Sequence, residues 1–168
     1  MPRPALLPII LALSAASAQA SASRSGALEA ADAWSRPAAA GLNGVGYMTL
    51  ANHGPRAEAL VKVESPLAQA VEIHRTTMSA GVMSMAAQPR VEIPAGGHVA
   101  FAPGAYHLMF VRLKATLKAG DKLPATLVFA DGRRIGVAFA VGSGAPPVGH
   151  SDAAVTGVAE RSQFVTKK

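Results

Sequence analysis

His107 and Met109 sit two residues apart within the apolar run Tyr106 to Leu113, which reads as a β-strand. Alternate side chains of a strand share a face, so an imidazole and a thioether project side by side. His74 and Met85 lie on either side of a turn signal at Ser79-Ala80-Gly81. A hairpin centred between Ser79 and Ala80 sets His74 directly opposite Met85, with Cβ atoms roughly 4.5–5.5 Å apart. Two imidazoles and two thioethers are neutral donors. Thioethers are soft and suit copper(I), while magnesium, calcium and manganese prefer oxygen. A mixed His–Met set with no carboxylate therefore favours copper(I), at the risk of oxidation to methionine sulfoxide.

Taken singly, these residues have plainer readings. A lone strand histidine is usually a surface or hydrogen-bonded residue, and a lone methionine is usually core filler. Met83 shares a face with Met85 and reads as a hydrophobic rim. Met78 sits beside the turn, where it would shield an ion from water. His53 lies in a turn and His98 follows a Gly pair, so both are expected to face solvent.

The elements that must position the four residues are short strands. Val45–Ala51 ends at Asn52-His53-Gly54-Pro55, and Ala59–Val63 ends at Ser65-Pro66. Ala70–Thr76 alternates apolar and polar residues, as a half-buried strand does. Val82–Ala86, Val91–Ile93, His98–Ala102 and Tyr106–Leu113 follow, separated by Gly- and Pro-containing breaks. Thr126–Ala130 and Ile135–Val141 flank Asp131-Gly132, a hairpin signal. Strands at this spacing, with no sustained helical period and no internal repeat, predict an all-β sandwich or barrel.

Composition agrees. The 168 residues include sixteen Gly and twelve Pro, and only 5% are aromatic, so aliphatic side chains and Ala must fill the core. There is no cysteine. That excludes disulfide stapling, thiol nucleophiles, thiolate zinc sites and the cysteine a blue-copper centre requires. No nucleophile motif or paired carboxylates stand out, so an enzyme is not expected.

Residues 1–20 follow the plan of a secretory signal peptide: Arg3, an apolar stretch from Ala5 to Ala15, and small residues at Ala18-Gln19-Ala20. The stretch is too short to span a bilayer, so no transmembrane segment is expected in the mature form. Its removal lowers the formal charge from +6 to +5. The remaining Lys and Arg are scattered, which argues against nucleic acid. The expected organisation is a signal peptide over 1–20, a flexible arm over 21–31, one domain over 32–142 and a flexible tail over 143–168.

The spacing of the four residues carries a further observation. His74, ten residues, Met85, twenty-one residues, His107, one residue and Met109 reproduce an H-x10-M-x21-H-x-M signature. This resembles the periplasmic copper chaperones called PCu(A)C. The segments VEIHRTTMSAGVMSM, VEIPAGGHVAF and PGAYHLMFVRLK also look like that family, as do DAWSRP, GYMTLANHG and LKAGDKLPATLVF, so the likeness runs from Asp32 to Val141. The resemblance implies a cupredoxin-like Greek-key β-sandwich holding Cu(I) through His74, Met85, His107 and Met109. It also implies a periplasmic chaperone delivering copper to the CuA centre of cytochrome c oxidase, sometimes beside a Sco-type protein; the free protein is expected to be a monomer. Arg75 departs from members with Met after the first histidine, but it belongs to the opposite strand face. The tail, with one His and no Met, differs from members that carry extra copper(II) ligands there. Two other readings stay open: a copper buffer or resistance protein without a dedicated recipient, and a metal-free Ig-like binding module.

Overall fold

Alternation decides the strands. Residues Arg134–Val141 (RIGVAFAV) bury every second side chain without exception, and Lys122–Phe129 follows the same rhythm. The computed structural model describes residues 22–144, in which eleven strands and their turns account for all regular structure. They are β1 (Ser23–Ser25), β2 (Leu28–Ser35), β3 (Gly44–Asn52), β4 (Glu58–Glu64), β5 (Ala68–Ser79) and β6 (Val82–Ala87), then β7 (Val91–Ile93), β8 (His98–Phe101), β9 (Tyr106–Leu113), β10 (Lys122–Phe129) and β11 (Arg134–Val141). Among the described residues, no helix is long and apolar enough to cross a membrane. The expected signal peptide and almost all of the expected tail lie outside the described residues.

The strands form one mixed sheet in the order β6-β5-β9-β8-β3-β2-β11-β10-β4-β7, with β1 added to β2. Most pairs are antiparallel; β11 runs parallel to β2, and β8 to β9. The sheet rolls over until β4 lies beside β5. Phe110 of β9 then meets Phe139 of β11 inside, with ring centroids 5.6 Å apart. The aliphatic core expected from the composition packs around them: Leu28, Leu50, Leu60, Ile93, Leu108, Leu123 and Leu127 are all fully buried. Gly46 is required where β3 passes these rings, because a Cβ there would stand 2.7 Å from Phe110 and 3.1 Å from Phe139.

The all-β expectation holds, and the nine expected strands correspond to β3 through β11. The flexible arm over 21–31 does not. From Ser23 that segment is a hairpin of β1 and β2 turning at Gly26 (φ +61°), and Leu28 is fully buried. Its small residues resemble a linker in composition, but β2 is inserted between β3 and β11 and so has a neighbour on each side. Pro124 sits inside β10, where a ladder donor is missing. The pairing of β10 with β4 begins only at Thr126, so no bond is lost there.

Candidate metal centre

The centre is built on the middle of β5 and the start of β9. These two strands pair antiparallel, with His74 directly opposite His107 and Glu72 opposite Met109. Ile73, Leu108 and Phe110 point into the core. Alternation therefore turns His74, His107 and Met109 onto the other face of the sheet. Although that face looks outward, each histidine is only 8% exposed. Their rings meet edge to face, with centroids 5.7 Å apart and planes at 73°.

Each imidazole has one nitrogen already committed. His74 Nε2 lies 2.9 Å from the Glu72 carboxylate. His107 Nδ1 lies 3.4 Å from the Ala105 carbonyl. Carboxylate and carbonyl oxygens only accept, so these ring nitrogens carry the protons, and a neutral imidazole has one such N–H. The lone pairs therefore fall on His74 Nδ1 and His107 Nε2. His74 Nδ1 is buried and meets no hydrogen-bond partner in the protein, a costly arrangement for a polar atom. A nitrogen tied to an oxygen while its ring partner stays free is how metal-binding histidines are held.

The acceptors are themselves fixed. Ala105 closes a β-turn by bonding from its N–H to the Ala102 carbonyl, with Pro103 and Gly104 (φ +81°) at the central positions. That is the pattern of a type II turn. The Ala105 carbonyl also accepts from Thr76 N–H at 3.0 Å, across to β5. Met109 is half-buried, and its sulfur accepts from Asn43 Nδ2 at 3.5 Å. The Asn43 oxygen accepts from Arg112 N–H at 3.0 Å, where the backbone takes φ +48°.

The β5–β6 hairpin corrects one expectation. The turn is centred between Ala80 and Gly81, both with positive φ, rather than between Ser79 and Ala80. Positive φ at both central residues suits the twist of a two-residue hairpin. Met85 accordingly faces Thr76, and Ala87 faces His74. The change moves Met85 along β6 by two residues, so it stays on the histidine face. From there it lies diagonal to His74, a separation a long side chain can span. Met85 is 54% exposed.

Glu72 and Asn43 are the two participants that the sequence reading missed. Glu72 is two residues before His74 in a strand, and that period-2 signal was available; a set expected to carry no carboxylate has one hydrogen-bonded to it. Asn43 lies 66 residues from Met109 in the chain, and nothing local connects them. Arg75 falls on the opposite face, as expected, and its guanidinium stacks 5.2 Å from the Tyr106 ring centroid. His98 is exposed, and His53 pairs with Glu29 at the surface. Among the described residues, no three His, Asp or Glu side chains converge as a metal-binding group.

Residues 28–141 match the family described as “Putative lipoprotein LpqE-like”. The chain belongs to the LpqE-like family. “Putative lipoprotein Lxx21020” of Leifsonia xyli subsp. xyli is 33% identical over 127 residues, which cover 75% of this LpqE-like chain and 76% of that protein. RP573 of Rickettsia prowazekii is 33% identical over 90 residues, and the match covers only half of that relative. Among solved structures, the copper-bound PCuAC domain from PmoF2 superposes with a TM-score of 0.60. It is 24% identical, and the match covers 74% of this chain and 98% of that one. Cu(I)-bound DR1885 from Deinococcus radiodurans gives a TM-score of 0.51 at 32% identity, covering 65% of this chain and 75% of that one. The LpqE-like chain thus has the PCuAC-like, cupredoxin-like fold.

Proposed function

We propose that this protein binds one Cu(I) through His74 Nδ1, His107 Nε2 and the sulfurs of Met85 and Met109, and passes it to an acceptor outside the cytoplasm. The observation that carries the reading is the opposed histidine pair, each ring holding one nitrogen to an oxygen and leaving the other free. The binding of Cu(I) by DR1885, which is 32% identical, supports it. All four donors are neutral, so the ion keeps its charge and no thiolate is exposed to oxidation.

Release follows from the unequal exposure of the donors. Met85 stands on the last strand of the sheet, half open to solvent, while the histidines are nearly closed off. An acceptor's ligand displaces Met85 first, while the two imidazoles still hold the ion. The cargo moves by ligand exchange and is never free. Export agrees with the lipoprotein name of the family, and the compartment proposed is the periplasm. The 168 residues contain no cysteine for a thioether-linked lipid. The recipient proposed is the CuA centre of cytochrome c oxidase, with a Sco-type protein as a second participant. The protein acts as a chaperone, not an enzyme.

Anaerobic Cu(I) titration against a competing chelator tests the site. The parent is expected to bind one equivalent tightly, and the Met85→Ala, Met109→Ala double variant to lose it. Binding by neither protein returns the chain to a metal-free binding module, and equal binding by both refutes the four-ligand site by removing the thioethers from it. Transfer to an apo-CuA domain then separates a chaperone from a buffer, which would hold copper without delivering it.

A further inference from the structure

All six residues of β6 are exposed, on both faces, because the hairpin projects beyond the rolled body. Its two faces nevertheless differ. One carries Arg75, Thr77, Ser79, Ser84, Ala86 and Val82; the other carries Met78, Met83 and Met85 and leads to His74. Met78 and Met83 are each 64% exposed. They fill no core, and leucine or valine would supply the same apolar surface without a sulfur to oxidise. Grouped exposed apolar side chains mark a site of interaction, and what distinguishes this group is sulfur.

Register gives the sulfurs an order. Met78 is directly opposite Met83 at the end of the hairpin. One pair further in on the same face come Thr76 and Met85, and one pair beyond that His74 and Ala87. Directly opposed Cβ atoms lie about 4.5–5.5 Å apart, so two flexible thioethers can close on either side of a single ion. Successive pairs are separated by roughly 6.5–7 Å along the strands, a gap that methionine side chains reaching from both ends can bridge.

We propose that Met78 and Met83 form a second, weaker site for a monovalent soft cation, Cu(I) or Ag(I), from which the ion passes to Met85 and the histidine pair. The inference rests on the four-ligand reading for its destination. The outer site is weaker because it has two thioethers, no imidazole and open access to water. Each inward step exchanges one neutral sulfur donor for another or for an imidazole nitrogen. The ion stays monovalent throughout, and nothing is oxidised, reduced or protonated.

The test is a titration of the full apo chain, carrying 13C-labelled methionine methyls, with Ag(I) and then anaerobically with Cu(I). The first equivalent is expected to shift the Met85 and Met109 methyls, and the second those of Met78 and Met83. Met48, only 2% exposed in the core, should not move and reports that the fold persists. Met78→Leu, Met83→Leu keeps the apolar surface and removes the sulfur; it should retain the first equivalent and lose the second. The outer site is overturned if the Met78 and Met83 methyls stay still in excess metal, or if the leucine variant binds a second equivalent as the parent does. Shifts at Met78 and Met83 without any at Met85 and Met109 would uphold the outer site and refute the four-ligand reading.

Discussion

Replacing His74 with Phe should make the apo protein more stable while abolishing its copper binding. His74 Nδ1 is buried without a hydrogen-bond partner, and such a group costs about 1–3 kcal/mol. A phenyl ring removes that cost and preserves an aromatic edge against His107, now 5.7 Å away. The substitution also removes the hydrogen bond to Glu72. That carboxylate is half exposed, so its loss is worth only about 0.5–1 kcal/mol and strands no buried charge. The net gain is about 0–2.5 kcal/mol, which for a domain of this size raises Tm by up to roughly 10 °C. Thermal unfolding by circular dichroism, with and without one equivalent of Cu(I), reads the outcome. Metal should stabilise the parent by RT ln(1 + [L]/Kd), about 2.7 kcal/mol at a hundredfold excess over Kd. It should not stabilise the variant, so the order of the two proteins reverses on loading. An apo variant less stable than the parent by about 1 kcal/mol or more would show that Nδ1 is satisfied in solution. An equal response to Cu(I) would show that His74 is not a ligand.

Four other substitutions probe the surroundings of that pair and the body that carries it. Glu72→Ala should weaken Cu(I) binding about 10- to 100-fold by releasing the His74 ring, as measured by chelator competition, with little change in Tm because the carboxylate is at the surface. Asn43→Ala removes the acceptor for Arg112 N–H and the donor to the Met109 sulfur; a loss of about 0.5–1.5 kcal/mol and a moved Met109 methyl resonance are expected. Gly46→Ala forces a Cβ against Phe110 and Phe139 and should cost about 1–3 kcal/mol without altering copper stoichiometry. In the β1–β2 hairpin, the Arg24 hydrogen bond, helped by His53, holds the Glu29 carboxyl below its ordinary 4.5. A depressed pKa stabilises above the unfolded value and is lost as pH falls. Glu29→Gln should therefore be slightly less stable than the parent at pH 7 and indistinguishable from it well below pH 4.5.

Residue spacing revealed more of this protein than residue type did. Strands β3 to β11 announce themselves because large apolar residues alternate with polar ones between Gly and Pro breaks. The β1–β2 hairpin does not, because Ser, Ala and Gly carry little periodic signal and β2 owes its place to neighbours remote in sequence. His107 and Met109 share a face by strand geometry alone. The opposition of His74 and His107 lies 33 residues apart in the chain and becomes visible only once β5 and β9 pair. The hairpin turn lies one residue further along than the sequence suggests, because Ala80 takes positive φ. Alanine there runs against local preference, and the twist of the hairpin prevails over it.

The two-residue turn at Ala80-Gly81 also sets which insertions and deletions the hairpin can tolerate. Side-chain direction in β6 depends on whether a residue is an odd or an even number of steps from the turn. One residue inserted between Val82 and Met85 would send Met85 to the face of Arg75 and empty its place beside His74. Two inserted residues would bring it back to the histidine face, directly opposite His74. The side chains on the Arg75 face could be exchanged widely at no cost to the centre, whereas the number of residues between His74 and Met85 could change only by an even count. Away from the methionines, descendants of the sequence are free to drift in composition on this strand and are held in length.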